Sequence, residues 1–336
     1  MTILSSTVQA VAGDIANAIP SGGGFAQLNQ LGTIDAIGAD ALAFLHAQLT
    51  NDVEHLDDKS VRRGGLCSPK GRLLATFIYW RIEGGVRLLL SADLVPAIVK
   101  RLSMFVLRSK VKLTDSSANL SIVGFAGTAE TLSSALTKLL GAAPERTMQT
   151  SGDLLRLDPV DDLARFLWIA PRDIAAAHSN TLAGALSRLD AERWDWLAIR
   201  AGEARVSAAT QDRFVPQMIN FELIDGVSFS KGCYPGQEVV ARSQYRGTVK
   251  RRAQIVSLDP GQAERPQAGD DVFDAATPNE ACGTIINVAA TPGGGVDCLA
   301  ELKLAALESG GSLHWRQIDG PLLHLQALPY PVFAPE

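Results

Sequence analysis

Cysteine is scarce in this chain. The four sulfurs, at 67, 233, 282 and 298, form no Cys-x-x-Cys pair and gather no histidines around them. A zinc or cluster site built by this chain alone is therefore not expected, and no resident metal is assigned. Reduced thiols in a cytoplasmic protein fit this usage best. The five histidines, His46, His55, His178, His314 and His324, show no ligand spacing and are assigned no chemistry. No Gly-x-Ser-x-Gly elbow is present. Ser21-Gly-Gly-Gly24 lacks the third glycine of a dinucleotide loop, and Gly65 to Lys70 has Pro69 where a phosphate loop needs glycine. Basic excess is missing too: the net charge of −5 argues against a surface that grips nucleic acid everywhere, although a local basic site stays open. No apolar run reaches the length of a membrane span. Residues 1–20 hold Asp14 but no lysine or arginine, so the charged start of a secretory signal is absent. No tandem repeat of solenoid period is visible.

What the chain does have is length and apolar content. With 336 residues, 46% of them hydrophobic, it can bury a sizeable core, and length alone suggests about two or three domains. Residues 1–24 read as a flexible lead-in. Asp40 reads as the N-cap of a helix whose stripe is Leu42, Leu45 and Leu49. Strands are predicted at Arg62–Leu66 and Arg72–Arg81 around a turn at Ser68-Pro69-Lys70-Gly71, then at Val86–Ser91. Helices over Leu94–Val106, Thr128–Leu140, Ile174–Leu189 and Ala191–Glu203 alternate with strands at Val111–Thr114, Ser121–Phe125, Leu154–Leu157 and Arg165–Ala170. That order predicts an α+β fold with helices on one side of the sheets. Beyond Arg252, short apolar runs separated by Asp259-Pro-Gly261, Ala268-Gly269-Asp270 and Pro292-Gly-Gly-Gly295 predict a small C-terminal β-barrel, with the boundary near 246–252.

The most informative stretch is Lys231-Gly-Cys233-Tyr234-Pro235-Gly236-Gln237-Glu238. Proline then glycine after Tyr234 is the composition of a type II turn, whose third residue needs a positive φ. Gly226 to Ser230 gives a weak strand signal before it, and Gln237 to Ser243 reads as helix after it, with Glu238 four residues from Arg242. A cation beside a thiol favours the thiolate, so Lys231 is read as a reason for Cys233 to be reactive. The plainer reading, a small buried cysteine in a glycine-rich turn, leaves Lys231 without a use.

Three further groups are weighed. Arg242, Arg246, Lys250, Arg251 and Arg252 are five cations with no acid among them, either an anion site for a carboxylate tail or phosphates, or a solvated surface paired with nearby acids. Trp194 and Trp196, two apart in a helix, face different ways, so one is core and the other is free to stack on a flat heterocycle. Gln217, Asn220 and Gln237 offer amides to the polar edge of a ligand or to turn backbone.

The octapeptide, with Arg242-Ser-Gln-Tyr-Arg246-Gly247 and Arg213-Phe-Val-Pro216-Gln217-Met-Ile-Asn220, resembles the signature of the YgfZ family, within the glycine cleavage T-protein superfamily. Gly38 to Val53 and the Cys67–Arg72 turn are similar to superfamily elements in the same order. The resemblance implies a ring of mixed α/β subdomains over 25–247, with 25–55 joined to 150–247 and 56–149 interleaved, followed by a barrel over 248–336. It implies a cytoplasmic folate-binding accessory protein that supports maturation or repair of iron–sulfur enzymes, including those that modify tRNA. Its expected partners are such enzymes or their assembly factors and a folate, with tRNA touched indirectly and no membrane. On this resemblance the ligand is tetrahydrofolate or a derivative, Cys233 and Lys231 carry the chemistry, and Trp194, Tyr234, Gln237, Glu238, Asn220 and Gln217 form the folate site. Arg242, Arg246, Lys250 and Arg251 would then hold an anion.

The superfamily's aminomethyltransferases carry an aspartate pair where Leu74-Ala75 stands, and a pterin-anchoring glutamate where Arg200 stands. Leucine and alanine cannot supply charge at a reacting centre, and an arginine has no acceptor for pterin donors. A folate-dependent aminomethyltransferase or demethylase, and an RNA-binding module using 242–252, remain as alternative readings.

Overall fold

Alternation on either side of Ser68–Gly71 predicts a hairpin, and the computed structural model has it, as strands Val61–Cys67 and Leu73–Ile82. The structure describes Ile15 and residues 18–332, apart from 142, 146, 147, 152 and 246–248. The hairpin belongs to a five-stranded antiparallel sheet in the order Val61–Cys67, Leu73–Ile82, Gly85–Ser91, Leu31–Ile37, Lys112–Asp115. A six-stranded sheet runs Ser187–Arg188, Gly24–Gln27, Leu120–Thr128, Leu163–Pro171, Leu154–Val160, Gln149–Ser151. Leu31–Ile37 thus pairs with Gly85–Ser91 and Lys112–Asp115, and Leu120–Thr128 with Gly24–Gln27 and Leu163–Pro171. Pairing therefore cuts across the expected division at 55/56 and 149/150.

The C-terminal strands close into a six-stranded barrel in the order Arg251–Leu258, Val296–Lys303, Ala281–Ala290, Asp271–Asp274, Leu313–Trp315, Leu322–Gln326. Closure leaves no free edge, although three of the six strands have only three to five residues. The fold class is mixed α and β with this barrel appended, as the sequence predicts. Among the described residues no helix is long and apolar enough to cross a membrane.

The largest core cluster joins both sheets' surroundings to the barrel, from Leu45 and Leu73 through Trp196 and Ile219 to Ile255 and Leu299. Ile15, Ala18 and Ile19 are buried in it, so the expected flexible lead-in is anchored before Ser21. The helix Ala191–Arg200 is the hinge piece. Asp190 caps it, its carboxylate accepting from the Arg193 amide at 2.6 Å. Trp196 donates from Nε1 to Asp297 of the barrel at 2.8 Å, while Trp194 faces the sheets. The two tryptophans do face different ways.

Candidate functional site at the Lys231–Glu238 turn

The predicted turn is present. Gly236 has φ of 79°, and the Gln237 amide donates to the Tyr234 carbonyl at 3.2 Å. Helix Gln237–Tyr245 follows, with Glu238 and Arg242 paired at 3.0 Å on its exposed face. Residues 226–230 form no strand; they are an irregular lead into the turn, and the alternation there reflects no pairing.

This turn is docked on the hairpin turn at 68–71 through two glycines. A Cβ on Gly236 would lie 2.4 Å from the Ser68 carbonyl oxygen and 2.7 Å from the Gly71 Cα; one on Gly71 would meet Val239 Cβ at 2.7 Å. Both glycines also need positive φ. Gly236→Ala is therefore expected to prise the two turns apart and destabilise the fold by about 1–3 kcal/mol. A shift in the urea midpoint checks this; an unchanged midpoint would mean the turns are not held by this contact.

Cys233 is exposed, and the other three cysteines are buried. Burial pushes the Cys67 thiol up to about 12 and Cys282 up to about 11, and raises Cys298 as well. Cys233 is thus the one sulfur of the four that solution reagents can reach.

Lys231 serves differently from the expectation. Its ammonium donates to the carbonyls of His46 and Leu49, the latter at 2.7 Å, beyond the end of helix Ala41–His46, and lies 5.1 Å from the centre of the Tyr234 ring. Burial pushes its pKa down to about 8, opposed by the charges of Asp52 and Cys233. A lysine beside this cysteine therefore has a structural use after all: it satisfies carbonyls that a helix end leaves without partners. Tyr234 is buried beneath it, its hydroxyl pKa raised by burial and then by Cys67, so it walls the turn rather than offering a hydroxyl to solvent.

Sequence reasoning missed His46 and Asp52. His46 Nε2 would lie 3.7 Å from a Cβ on Gly232, and its Nδ1 is 3.1 Å from Asp52 Oδ1. Burial alone would raise the Asp52 carboxyl, but hydrogen bonds from His55 and the Arg62 charge bring it down to about 2. His46 and Asp52 are six residues apart and match no ligand spacing, so only the fold reveals the pair.

The expected folate residues do not converge on one hollow. Trp194 lines a central cavity of about 80 Å³, whose walls include Thr76, Phe77, Glu203 and Arg205. Its indole lies on Gly124, where a Cβ would come within 2.5 Å of the ring, and the Arg165 guanidinium is 5.9 Å from the ring centre. Gln217 and Asn220 are buried and donate to the carbonyls of Val240 and Ala253, both at 2.9 Å, so these amides secure backbone. Gln237 and Glu238 open the helix after the turn, with Glu238 held by Arg242. Arg200, which stands where the superfamily's pterin-anchoring glutamate is expected, faces Asp297 of the barrel at 3.8 Å.

The carboxylate at the cavity is instead Glu203. Both its oxygens bind Arg165, at 2.9 and 2.8 Å, and Oε1 also accepts from Arg63. Burial would raise its pKa, but Arg165 and Arg63 hold it at about 2. Arg63 further pairs with Asp158 at 2.8 Å. A second hollow, a cleft of about 440 Å³, has Arg63 as a wall in common with the central cavity and is bounded by Arg62, Asp225, Ser228, Phe229 and Ser230. Its rim at Ser230 leads directly into Lys231 and so to Cys233.

The basic stretch is largely spent on the protein itself. Arg242 pairs with Glu238, Arg251 binds both oxygens of buried Glu301 at 2.8 and 2.7 Å, and buried Arg252 pairs with Glu222. Lys250 is exposed, and Arg246 lies outside the described residues. At the positions of the superfamily's acid pair, Leu74 and Ala75 are both buried within their strand, so no carboxylate stands there.

No family model matches the chain. A "tRNA-modifying protein YgfZ" from Sodalis glossinidius (strain morsitans) is 30% identical over 298 residues, 88% of this chain and 89% of the relative. The same-named protein of Pectobacterium carotovorum subsp. carotovorum (strain PC1) is 31% identical over 237 residues, 70% of each chain. Among solved structures, the glycine cleavage system aminomethyltransferase T from Bartonella henselae superposes with a TM-score of 0.73 at 17% identity, covering 94% of this chain and 88% of its own. That likeness fixes the fold as glycine cleavage T-protein-like, and the relatives, matched along most of their length, show that the chain belongs to the YgfZ family.

Proposed function

We propose that this protein is a folate-binding accessory factor of tRNA modification, which acts by supporting iron–sulfur enzymes through the thiol of Cys233. The observation that carries the reading is the placement of the one exposed cysteine at a turn docked through two glycines, three residues along the chain from the cleft wall at Ser230. A thiol so presented can attack an electrophile or hold a metal transiently, while buried Cys67, Cys282 and Cys298 cannot. The relatives' name supports the link to tRNA modification.

Ligand pockets run to roughly 300–1,000 Å³, so the cleft has the room and the central cavity alone does not. In the cleft, Phe229 offers an aromatic ring and Ser228 and Ser230 offer hydroxyls, while Arg62 on its wall is already held by Asp52. Bound there, a tetrahydrofolate would supply a carrier for one-carbon groups. Aminomethyl transfer fits less well, because Leu74 and Ala75 leave no acid where that chemistry needs one, and Glu203 is locked between two arginines.

Titration with tetrahydrofolate, followed by tryptophan fluorescence, tests the ligand. Saturable quenching is expected in the wild type. Its loss in Trp194→Phe would place the ligand against the central cavity, and its persistence would place it in the outer cleft. Absence of quenching with every folate form would remove folate from the proposal.

A further inference from the structure

The strongest unexplained surface lies away from the Cys233 turn, between the end of helix Val95–Ser103 and the edge strand Lys112–Asp115. Residues 100–112 carry Lys100, Arg101, Arg108, Lys110 and Lys112 and no acid, in a chain of net charge −5. Among the described residues none of these five is in an ion pair. The contrast with 242–252 is direct, since Arg242, Arg251 and Arg252 there all have carboxylate partners. At the margin stand Asp115, at the far end of the edge strand, and Asp40, which accepts from the Lys110 backbone amide.

In the middle of these cations stand three apolar side chains: Met104 is 60% exposed, Phe105 44% and Leu107 90%. Leu107 has φ of 39°, a conformation that bulky residues seldom adopt, so its exposure is built into the loop. Plainer roles account for the cations one at a time. Lys100 and Arg101 suit a helix C-terminus, and Lys112 guards a sheet edge against pairing. Neither role calls for methionine, phenylalanine and leucine in water at the centre of the patch.

We infer that this patch binds RNA directly, the cations contacting phosphates while Phe105 and the neighbouring guanidinia stack on unpaired bases. A polyanion complements five unpaired cations, and single-stranded nucleic acid is bound by aromatic side chains set in a basic tract. An anionic lipid surface fits less well. The adjoining helix buries its apolar stripe, Val95, Ile98 and Leu102, in the core and has no greasy face left for a bilayer. The inference goes beyond the proposed function, in which the thiol acts on enzymes and RNA need not be touched.

Fluorescence anisotropy with an unmodified tRNA transcript tests it on the full chain. Wild-type binding is expected at 50 mM salt, weakening about a hundredfold by 200 mM if all five cations reach phosphates. Arg101→Glu/Arg108→Glu/Lys110→Glu is expected to abolish binding, and Phe105→Ala alone to weaken it about tenfold with the salt slope retained. Arg242→Glu/Lys250→Glu is expected to bind within about twofold of wild type at 50 mM salt, apart from a small general charge effect. Absence of tRNA binding at 50 mM salt, or equal binding by the triple variant, would overturn the inference. So would sedimentation with phosphatidylserine vesicles that the triple variant loses while tRNA binds neither protein. All these substitutions are at solvent-facing or half-buried positions, and Phe105→Ala alone still decides if the triple variant fails to fold. Rescue of iron–sulfur enzyme activity by the triple variant would leave the thiol's function standing even if the RNA surface fell.

Discussion

Cys233→Ala is expected to reduce the activity of tRNA-modifying iron–sulfur enzymes to the level of cells lacking the protein, while the purified variant keeps its folate affinity. The expectation follows from exposure. Cys233 is the only one of the four cysteines that solvent reaches, and no other sulfur can substitute from beneath the surface. The same exposure makes the change nearly neutral for folding. Surface substitutions typically stay within about 0.5 kcal/mol, so the melting temperature is expected to move by no more than about 2 °C. Thiol labelling provides a parallel check: iodoacetamide should modify one site per native wild-type chain and none in the variant. In that reaction the thiolate sulfur displaces iodide and forms the carbon–sulfur bond, and the thiol proton passes to solvent or base. Full enzyme activity in the Cys233→Ala strain would remove the sulfur from the mechanism and leave only the cleft. Loss of activity together with a large fall in melting temperature would instead mean that the residue holds the turn together.

Much of this arrangement was legible in the residues. The proline–glycine turn, the helix after it, the Glu238–Arg242 pair and the barrel all follow from local chemistry that the fold does not override. The opposite orientations of Trp194 and Trp196 follow from helical spacing. Other features depend on which surfaces meet. The strand Leu31–Ile37 escaped notice because its first four residues are all buried, so both faces are covered and no alternation shows. Strand Leu313–Trp315 has only three residues, too few for a pattern. The role of Lys231 could not be read from its neighbours in sequence, because its acceptors are carbonyls some 180 positions earlier. Gln217 and Asn220 are similar: their residue type suggested ligand contacts, but long-range packing assigned them to carbonyls of Val240 and Ala253. The basic stretch at 242–252 looked like a site because its acids, Glu222 and Glu301, come from other elements.

Glu203 joins the two levels, since it lines the central cavity and also anchors the arginines around it. Arg165 is fully buried, Arg63 nearly so, and both pair with this one carboxylate; Asp158 adds its own carboxylate for Arg63 and its backbone carbonyl for Arg165. Removing one member of a buried ion network costs about 3–5 kcal/mol, because the remaining charges lose their compensation without regaining water. Glu203→Gln is therefore expected to lower stability by about that amount in urea unfolding. Arg63→Met should cost less than Arg165→Met, because Arg63 is the less deeply enclosed of the two. The pH dependence has a definite sign. Glu203 is held at about 2 in the folded protein against an ordinary value of 4.5. Below the ordinary value the unfolded chain binds more protons than the folded one, so stability falls as pH drops from about 4.5 towards 2. Above about pH 5 the contribution is complete. In Glu203→Gln this part of the acid slope should vanish, leaving that of the other depressed carboxyls, Asp52 at about 2 and the lowered Asp57, Glu192 and Glu280. Parallel acid slopes in the two proteins would show that the network does not carry this linkage. A midpoint for Glu203→Gln within about 0.5 kcal/mol of wild type would show that water or a rearranged Asp158 compensates the arginines.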